Sequence, residues 1–228
     1  MFLILYLFLL FLIIIYNYFC LYFKLYFKKP PIHIVFTGGI GVGKTTIIHK
    51  FSEFLTNKGY TFYISTEIPM RNPKKLEWLY QDIEKNSFSY QIYLIVEYIK
   101  ETIYISKKDD VKFIIHDRSI IDTIYFSKKN LNSDKFEIIM DLINDNFLNK
   151  FDYVVFIKPS IENMLIWQKK RNRNEESNVS IDYLKNIYYM FDDIDIYEEF
   201  TNNIIIFSND NHNEYNEKIF FETLIKKL

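Results

Sequence analysis

Apolar and polar residues follow two periods along this chain. Apolar, β-branched runs at Ile32–Thr37 (IHIVFT), 60–66, 111–116 (VKFIIH), 153–158 (YVVFIK) and 203–208 (NIIIFS) read as buried strands. Between them apolar residues return every three or four positions, as in Ile47, Ile48, Phe51, Phe54 and Leu55. That spacing predicts helices over 45–57, 74–85, 90–106, 119–129, 134–149, 160–174 and 180–200, with a last helix closing the chain. Five apolar strands separated by helices imply an α/β fold, a five-stranded parallel sheet covered on both faces. No repeat and no internal linker interrupts 30–228, which reads as one domain.

The N-terminus breaks this alternation. Residues 2–23 contain no charged side chain and a single amide, Asn17. Coiled as a helix at about 1.5 Å per residue, they reach across the roughly 30 Å hydrocarbon core of a lipid bilayer. Lys24, Lys28 and Lys29 follow, then Pro30-Pro31, while no charge precedes the run. The one-sided positive flank predicts a single-pass anchor with the downstream domain in the cytosol. A cleaved signal peptide needs a shorter apolar region, a basic start and small residues before the cut, and this segment has none of them. The expected organisation is therefore an anchor with its basic flank over 1–29 and a folded domain over 30–228.

Composition narrows the function. Hydrophobic residues make up 49% of the 228 and charged ones 25%, which suits a packed core and excludes a disordered chain. One cysteine, Cys20, excludes a disulfide framework and a cysteine-ligated zinc site. The net charge of −1 gives no electrostatic reason to expect nucleic acid as a partner. The chain has no alanine and few glycines or arginines, so where these rare residues fall is informative. Four of the five glycines lie within 38–43, and three of the four arginines are Arg118, Arg171 and Arg173.

Gly38-Gly39-Ile40-Gly41-Val42-Gly43-Lys44-Thr45 fits G-x-x-x-x-G-K-[ST], directly after a strand and at the start of a helix. Glycines let backbone N–H groups converge on phosphate oxygens, and the helix N-terminus adds a positive dipole. The segment through Thr46 is expected to bind ATP or another nucleoside triphosphate. Lys44 would neutralise the β- and γ-phosphates, and Thr45, with Asp117 near it, would ligate Mg²⁺.

Ligands of parallel sheets sit at the carboxyl ends of the strands. Glu67 follows the second strand there, and His116-Asp117-Arg118-Ser119 follows the third. A carboxylate at that edge can take a proton from a substrate hydroxyl, and an arginine can hold phosphate oxygens or orient the carboxylate. Arg171 and Arg173 stand two apart at the end of the helix after the fourth strand, within the run 169–176. They are expected to form a cationic lid over the transferring group.

These residues together resemble the deoxyribonucleoside kinases, P-loop enzymes that phosphorylate the 5′-hydroxyl of deoxynucleosides. The resemblance spans about 32–210 and is most specific where Leu76-Glu77-Trp78-Leu79-Tyr80 is followed by Ser87-Phe88-Ser89-Tyr90-Gln91. Asp117-Arg118-Ser119 is similar to the family's (Asp/Glu)-Arg-Ser motif. Arg171 to Glu176, with Val179 and Asp182-Tyr183-Leu184, is similar to its lid and following helix. The resemblance implies the P-loop nucleoside-kinase fold, Glu67 as general base with Arg118 beside it, and Arg171 and Arg173 as phosphate clamps. It further implies Tyr80 and Glu176 on the deoxyribose hydroxyls, Gln91 on the base edge, and a homodimer as an assembly open to this chain. Asn72, Tyr98, Thr123 and Trp167 depart from the family's usual residues, and Thr123 falls where substrate base is discriminated, so base preference stays open. Two alternatives remain at this point. One is a thymidylate-type nucleoside-monophosphate kinase, although no arginine precedes Glu67-Ile68-Pro69 to hold an acceptor phosphate. The other is a non-catalytic, membrane-tethered NTP-binding protein.

Overall fold

The computed structural model describes residues 15–16, 29–146, 151–208, 210 and 213–228. It divides into two units, Met1–Pro30 and Pro31–Leu228. The span expected over 2–23 lies outside the described residues except for Ile15 and Tyr16, which are helical. Among the described residues no helix is long and apolar enough to cross a membrane.

In the unit from Pro31 onward, five strands form one sheet: β1 (Ile32–Thr37), β2 (Phe62–Ser65), β3 (Phe113–Asp117), β4 (Tyr153–Ile157) and β5 (Ile204–Phe207). Their order is β2-β3-β1-β4-β5 and every pairing is parallel. The central strand has helices to either side of its pleat, so Ile34, Val35 and Phe36 are fully buried. Phe36 pairs with Asp117 on β3 and with Val155 on β4. That register sets the carboxyl ends of β1 and β3 level, where the chemistry-bearing residues emerge.

Helix α1 (Lys44–Asn57) lays Ile47, Ile48, Phe51 and Leu55 on the sheet, with Phe51 against Phe36. The closing helix α9 (Glu214–Lys227) adds Phe221 to the same layer, 5.2 Å from Phe51. The other helices are α2 (Pro73–Gln81), α3 (Ile83–Ile105), α4 (Ile120–Asn130), α5 (Ser133–Asn146), α6 (Ile161–Arg171), α7 (Ile181–Met190) and α8 (Asp195–Glu198).

Three boundaries differ from the sequence expectation, each for a local reason. The gap expected between 85 and 90 is instead a single break at Asp82, which is extended at φ −155° and accepts the Lys85 N–H to start α3. Helix α6 stops at Arg171 because Asn172 takes a left-handed conformation, φ 45°. The long helix expected over 180–200 is two, α7 and α8, separated by a turn in which the Asp193 carbonyl accepts the Tyr125 hydroxyl and Asp192 pairs with Lys158. Helical periodicity carries no information about such a turn, because the Tyr125 and Lys158 side chains that reach it are distant in the chain.

Candidate active site

Residues 38–43 carry the chain from β1 into α1. Gly38 has φ 135° and Gly43 φ 89°, backbone regions open to glycine. A Cβ on Gly38 would stand 2.5 Å from the Ile157 carbonyl oxygen, so the loop could not close on β4 with any other residue there. The Lys44 ammonium donates to the carbonyls of Gly39 at 2.7 Å and Gly38 at 3.2 Å. Burial first, then the nearby Arg118 charge, lowers its pKa to about 7. Two side chains of the loop turn away from the groove. Val42 is packed in the core and Ile40 lines the cavity on the other side of Glu67, so only their backbones can serve a phosphate.

Thr45 donates from its hydroxyl to Asp117 Oδ2 at 2.7 Å, while Asp117 Oδ1 is buried with no hydrogen-bond partner. Burial, followed by the Glu67 charge, raises the Asp117 pKa. One orphaned carboxylate oxygen beside a hydroxyl fits Mg²⁺, which takes one or two protein oxygens and completes its shell with water and phosphate. Among the described residues no cluster of three or more His, Cys, Asp or Glu could enclose a metal without such help.

Arg118 is held at φ 72°, an uncommon conformation for a residue with a side chain. The turn aims its guanidinium into the space between β2 and the glycine loop. Nε donates to Glu67 Oε1 at 3.0 Å, Nη1 to the Gly38 carbonyl at 3.0 Å and to Asp122 Oδ1 at 3.2 Å, and Nη2 to the Gly39 carbonyl at 3.3 Å. Burial opposes its charge, yet the Glu67 and Asp122 carboxylates outweigh burial and raise its pKa.

Glu67 starts the 3₁₀ turn Ile68–Arg71, which buried Ile68 pins to the core. Its second oxygen, Oε2, accepts from Arg173 Nη1 at 3.3 Å. Burial pushes this carboxyl up, but Arg118, Lys44 and Arg173 together overcome it and hold the pKa down to about 2. The lid is thus seated on Glu67. Arg173 also reaches Met70 Sδ at 3.1 Å, and Arg171 pairs with the buried Glu176.

Two cavities meet at Glu67. The first encloses about 550 Å³ with its mouth included and is lined by Tyr80, Gln91, Arg118, Thr123 and Glu176 over an apolar floor of Leu76, Leu79 and Leu94. The second, an open groove of about 1030 Å³, runs past Gly41, Gly43, Lys44, Thr45 and Thr46 to Trp167 and Arg173. Glu67 and Arg171 line both. In the first cavity Gln91 Oε1 and the hydroxyls of Tyr90 and Thr123 are buried without a hydrogen-bond partner. Buried polar atoms are nearly always paired, so three orphans facing one cavity mark it as a polar ligand's site.

Every residue expected from the sequence to carry chemistry therefore lies in or beside these cavities, with one exception. His116, grouped there with Asp117 and Arg118, is turned away. It packs on His33, Nε2 to Nδ1 at 3.1 Å, and burial lowers its pKa to about 3. Asp122 was the main omission. It lies three residues after Ser119, and that S-x-x-D spacing marks the capping box it forms at the start of α4. Its second role, on Arg118, has no sequence signal. Tyr90, Tyr98 and Phe126 complete the wall of the first cavity.

A parallel α/β sheet, a phosphate loop and a carboxylate between two cavities define a P-loop phosphotransferase architecture. The chain belongs to the deoxynucleoside kinase family, whose model matches residues 34–228. It is 28% identical over 163 residues to a deoxyadenosine kinase of Dictyostelium discoideum, covering 68% of this chain and 63% of that one. The match thus spans less than two thirds of that relative's length. It is 27% identical over 161 residues to a deoxyguanosine kinase of Bacillus subtilis (strain 168), covering 68% and 73%. A solved deoxyadenosine kinase of M. mycoides, with the products dCMP and a flexible dCDP bound, shares the fold with a TM-score of 0.67 at 22% identity, over 86% of this chain and all of that one.

Proposed function

We propose that this chain transfers the γ-phosphoryl group of ATP, or of another nucleoside triphosphate, to the 5′-hydroxyl of a deoxyribonucleoside in nucleotide salvage. The observation that carries this reading is the position of Glu67 at the junction of an amide- and hydroxyl-lined cavity and the phosphate-loop groove. The cavity's lining of one amide, several hydroxyls and an apolar floor suits the base and sugar of a nucleoside. There Glu67 accepts the 5′-hydroxyl proton as the oxygen bonds to the γ-phosphorus and the bond to the β–γ bridging oxygen breaks, releasing the diphosphate. Arg118 orients Glu67, and Lys44, Arg171 and Arg173 stabilise charge on the phosphates. Thr45 and Asp117 would hold Mg²⁺, which supplies charge neutralisation between the β- and γ-phosphates. Two of the three cations that depress the Glu67 pKa, Lys44 and Arg173, are the groups a triphosphate engages. Sharing their charge with phosphate moves Glu67 toward a useful basicity. The test is an assay of the full chain with Mg·ATP against each deoxynucleoside and each monophosphate. Product from monophosphates alone would end this reading.

Gln91 is the residue for the base edge, since one amide supplies both a donor and an acceptor. Gln91→Ala should raise KM for the deoxynucleoside by roughly 10–100-fold while KM for ATP changes little. Equal effects on both would remove Gln91 from the base site.

The apolar length and basic flank of 1–29 support a single-pass anchor that leaves the kinase domain in the cytosol. The full chain should stay with membranes through an alkaline carbonate wash, and a chain starting at Pro30 should be soluble and active. Release of the full chain by the wash, or aggregation of the shortened one, would show that the segment is not an anchor.

A further inference from the structure

Tyr197 lies outside both cavities, wholly buried on the one-turn helix α8. Its ring stacks on Tyr125 at 6.1 Å and meets Phe156 edge-on at 5.2 Å, which fixes where the hydroxyl points. That hydroxyl reaches three side chains on two segments, the end of β1 and the start of α4. It is 2.9 Å from Asp122 Oδ2, 3.0 Å from Ser119 Oγ and 3.2 Å from Thr37 Oγ1.

Ionised Asp122 is acceptor-only, so the phenol donates to it, and Ser119 is free to donate to the phenol oxygen. Asp122 then accepts four hydrogen bonds, two on each oxygen. Oδ1 takes the Thr37 hydroxyl at 2.7 Å and Arg118 Nη1 at 3.2 Å; Oδ2 takes the Ser119 N–H at 2.8 Å and Tyr197. A carboxylate filled in this way has one orientation, and it sets the angle of the Arg118 guanidinium that grips Glu67. Arg118 also has a reason to move. A non-glycine residue at positive φ keeps that conformation only while its surroundings over-determine it. Removing one donor from Asp122 weakens one of those restraints.

We propose that Tyr197 is a positioning residue for phosphoryl transfer, acting through Asp122 and Arg118 on Glu67. The proposal rests on the kinase reading above. Tyr197→Phe keeps the ring and deletes only the donor. Its kcat should fall about tenfold to a hundredfold, the cost of misplacing a reacting group by a fraction of an ångström to an ångström. Both KM values should stay near wild type, because Tyr197 lines neither cavity. Rates are taken per folded molecule, well below the variant's own Tm, so a merely structural tyrosine would show wild-type kcat. Thr37→Val removes another donor to the same carboxylate, and the double variant should lose less than the product of the two single losses. Wild-type kcat in Tyr197→Phe, or losses that multiply in full, would overturn the proposal while leaving the kinase intact. A wild-type chain inactive on every deoxynucleoside would instead fail the kinase reading and take this one with it.

Discussion

Glu67→Gln should lower kcat by about 10²–10⁴-fold while ATP still binds, because the substitution keeps the shape of the side chain and removes only its capacity to take a proton. The two acids nearest it at the strand ends are committed to other partners. Asp117 is engaged by Thr45, and Asp122 has all its acceptor positions filled by Thr37, Arg118, Ser119 and Tyr197. Steady-state kinetics together with calorimetric ATP binding check the result, and near-normal kcat would mean that another group is the base. Three cations surround Glu67, and its pKa is held at about 2, below its ordinary 4.5. The carboxylate is therefore ionised throughout the neutral range, and kcat/KM, which reports the free enzyme, should show no acid limb from it there. A depressed carboxyl contributes stability that is present above 4.5 and is lost as pH falls toward 2.

Arg118→Met should be the most damaging single change to the fold as well as to the chemistry. Arg118 is buried, and its loss leaves the carboxylates of Glu67 and Asp122 facing each other without their shared cation. Breaking a buried ion pair from one side typically costs about 3–5 kcal/mol, which unfolding in urea would register directly. Arg118→Lys restores charge but not the planar fork, whose three nitrogens reach two carboxylates and two loop carbonyls. It should recover much of the stability and little of the kcat. A lysine variant with wild-type kcat would show that charge alone matters, and a methionine variant as stable as wild type would show that the pair is not structural.

The strands were legible because a parallel sheet buried on both faces leaves continuous apolar runs, and β1 spans the residues its run predicted. The phosphate loop was legible for a related reason. Its chemistry is local, carried by backbone conformations that only closely spaced glycines allow, as the contact of Gly38 with Ile157 shows. Residues 67, 118, 171 and 173 could be named from their places after strands and in the lid, but their mutual contacts could not be read. Glu67 lies 106 positions from the Arg173 whose guanidinium it accepts. His116 shows the opposite failure. It neighbours the site in sequence, yet the alternation of side chains along a strand turns it to the opposite side of the sheet from Asp117.

The amino-acid order by itself determined the α/β class, the strand sequence, the phosphate loop and the identity of the residues at the strand ends, because each depends on neighbours a few positions apart. Only the folded chain decided that Arg173 sits on Glu67, that Gln91, Tyr90 and Thr123 turn unpaired polar atoms into one cavity, and that Tyr197 reaches Asp122 across 75 positions. Those contacts come from the packing of α3, α4, α8 and the lid after α6 around the end of the sheet. Packing depends on how complementary surfaces distant in the chain fit together, a property no local periodicity records.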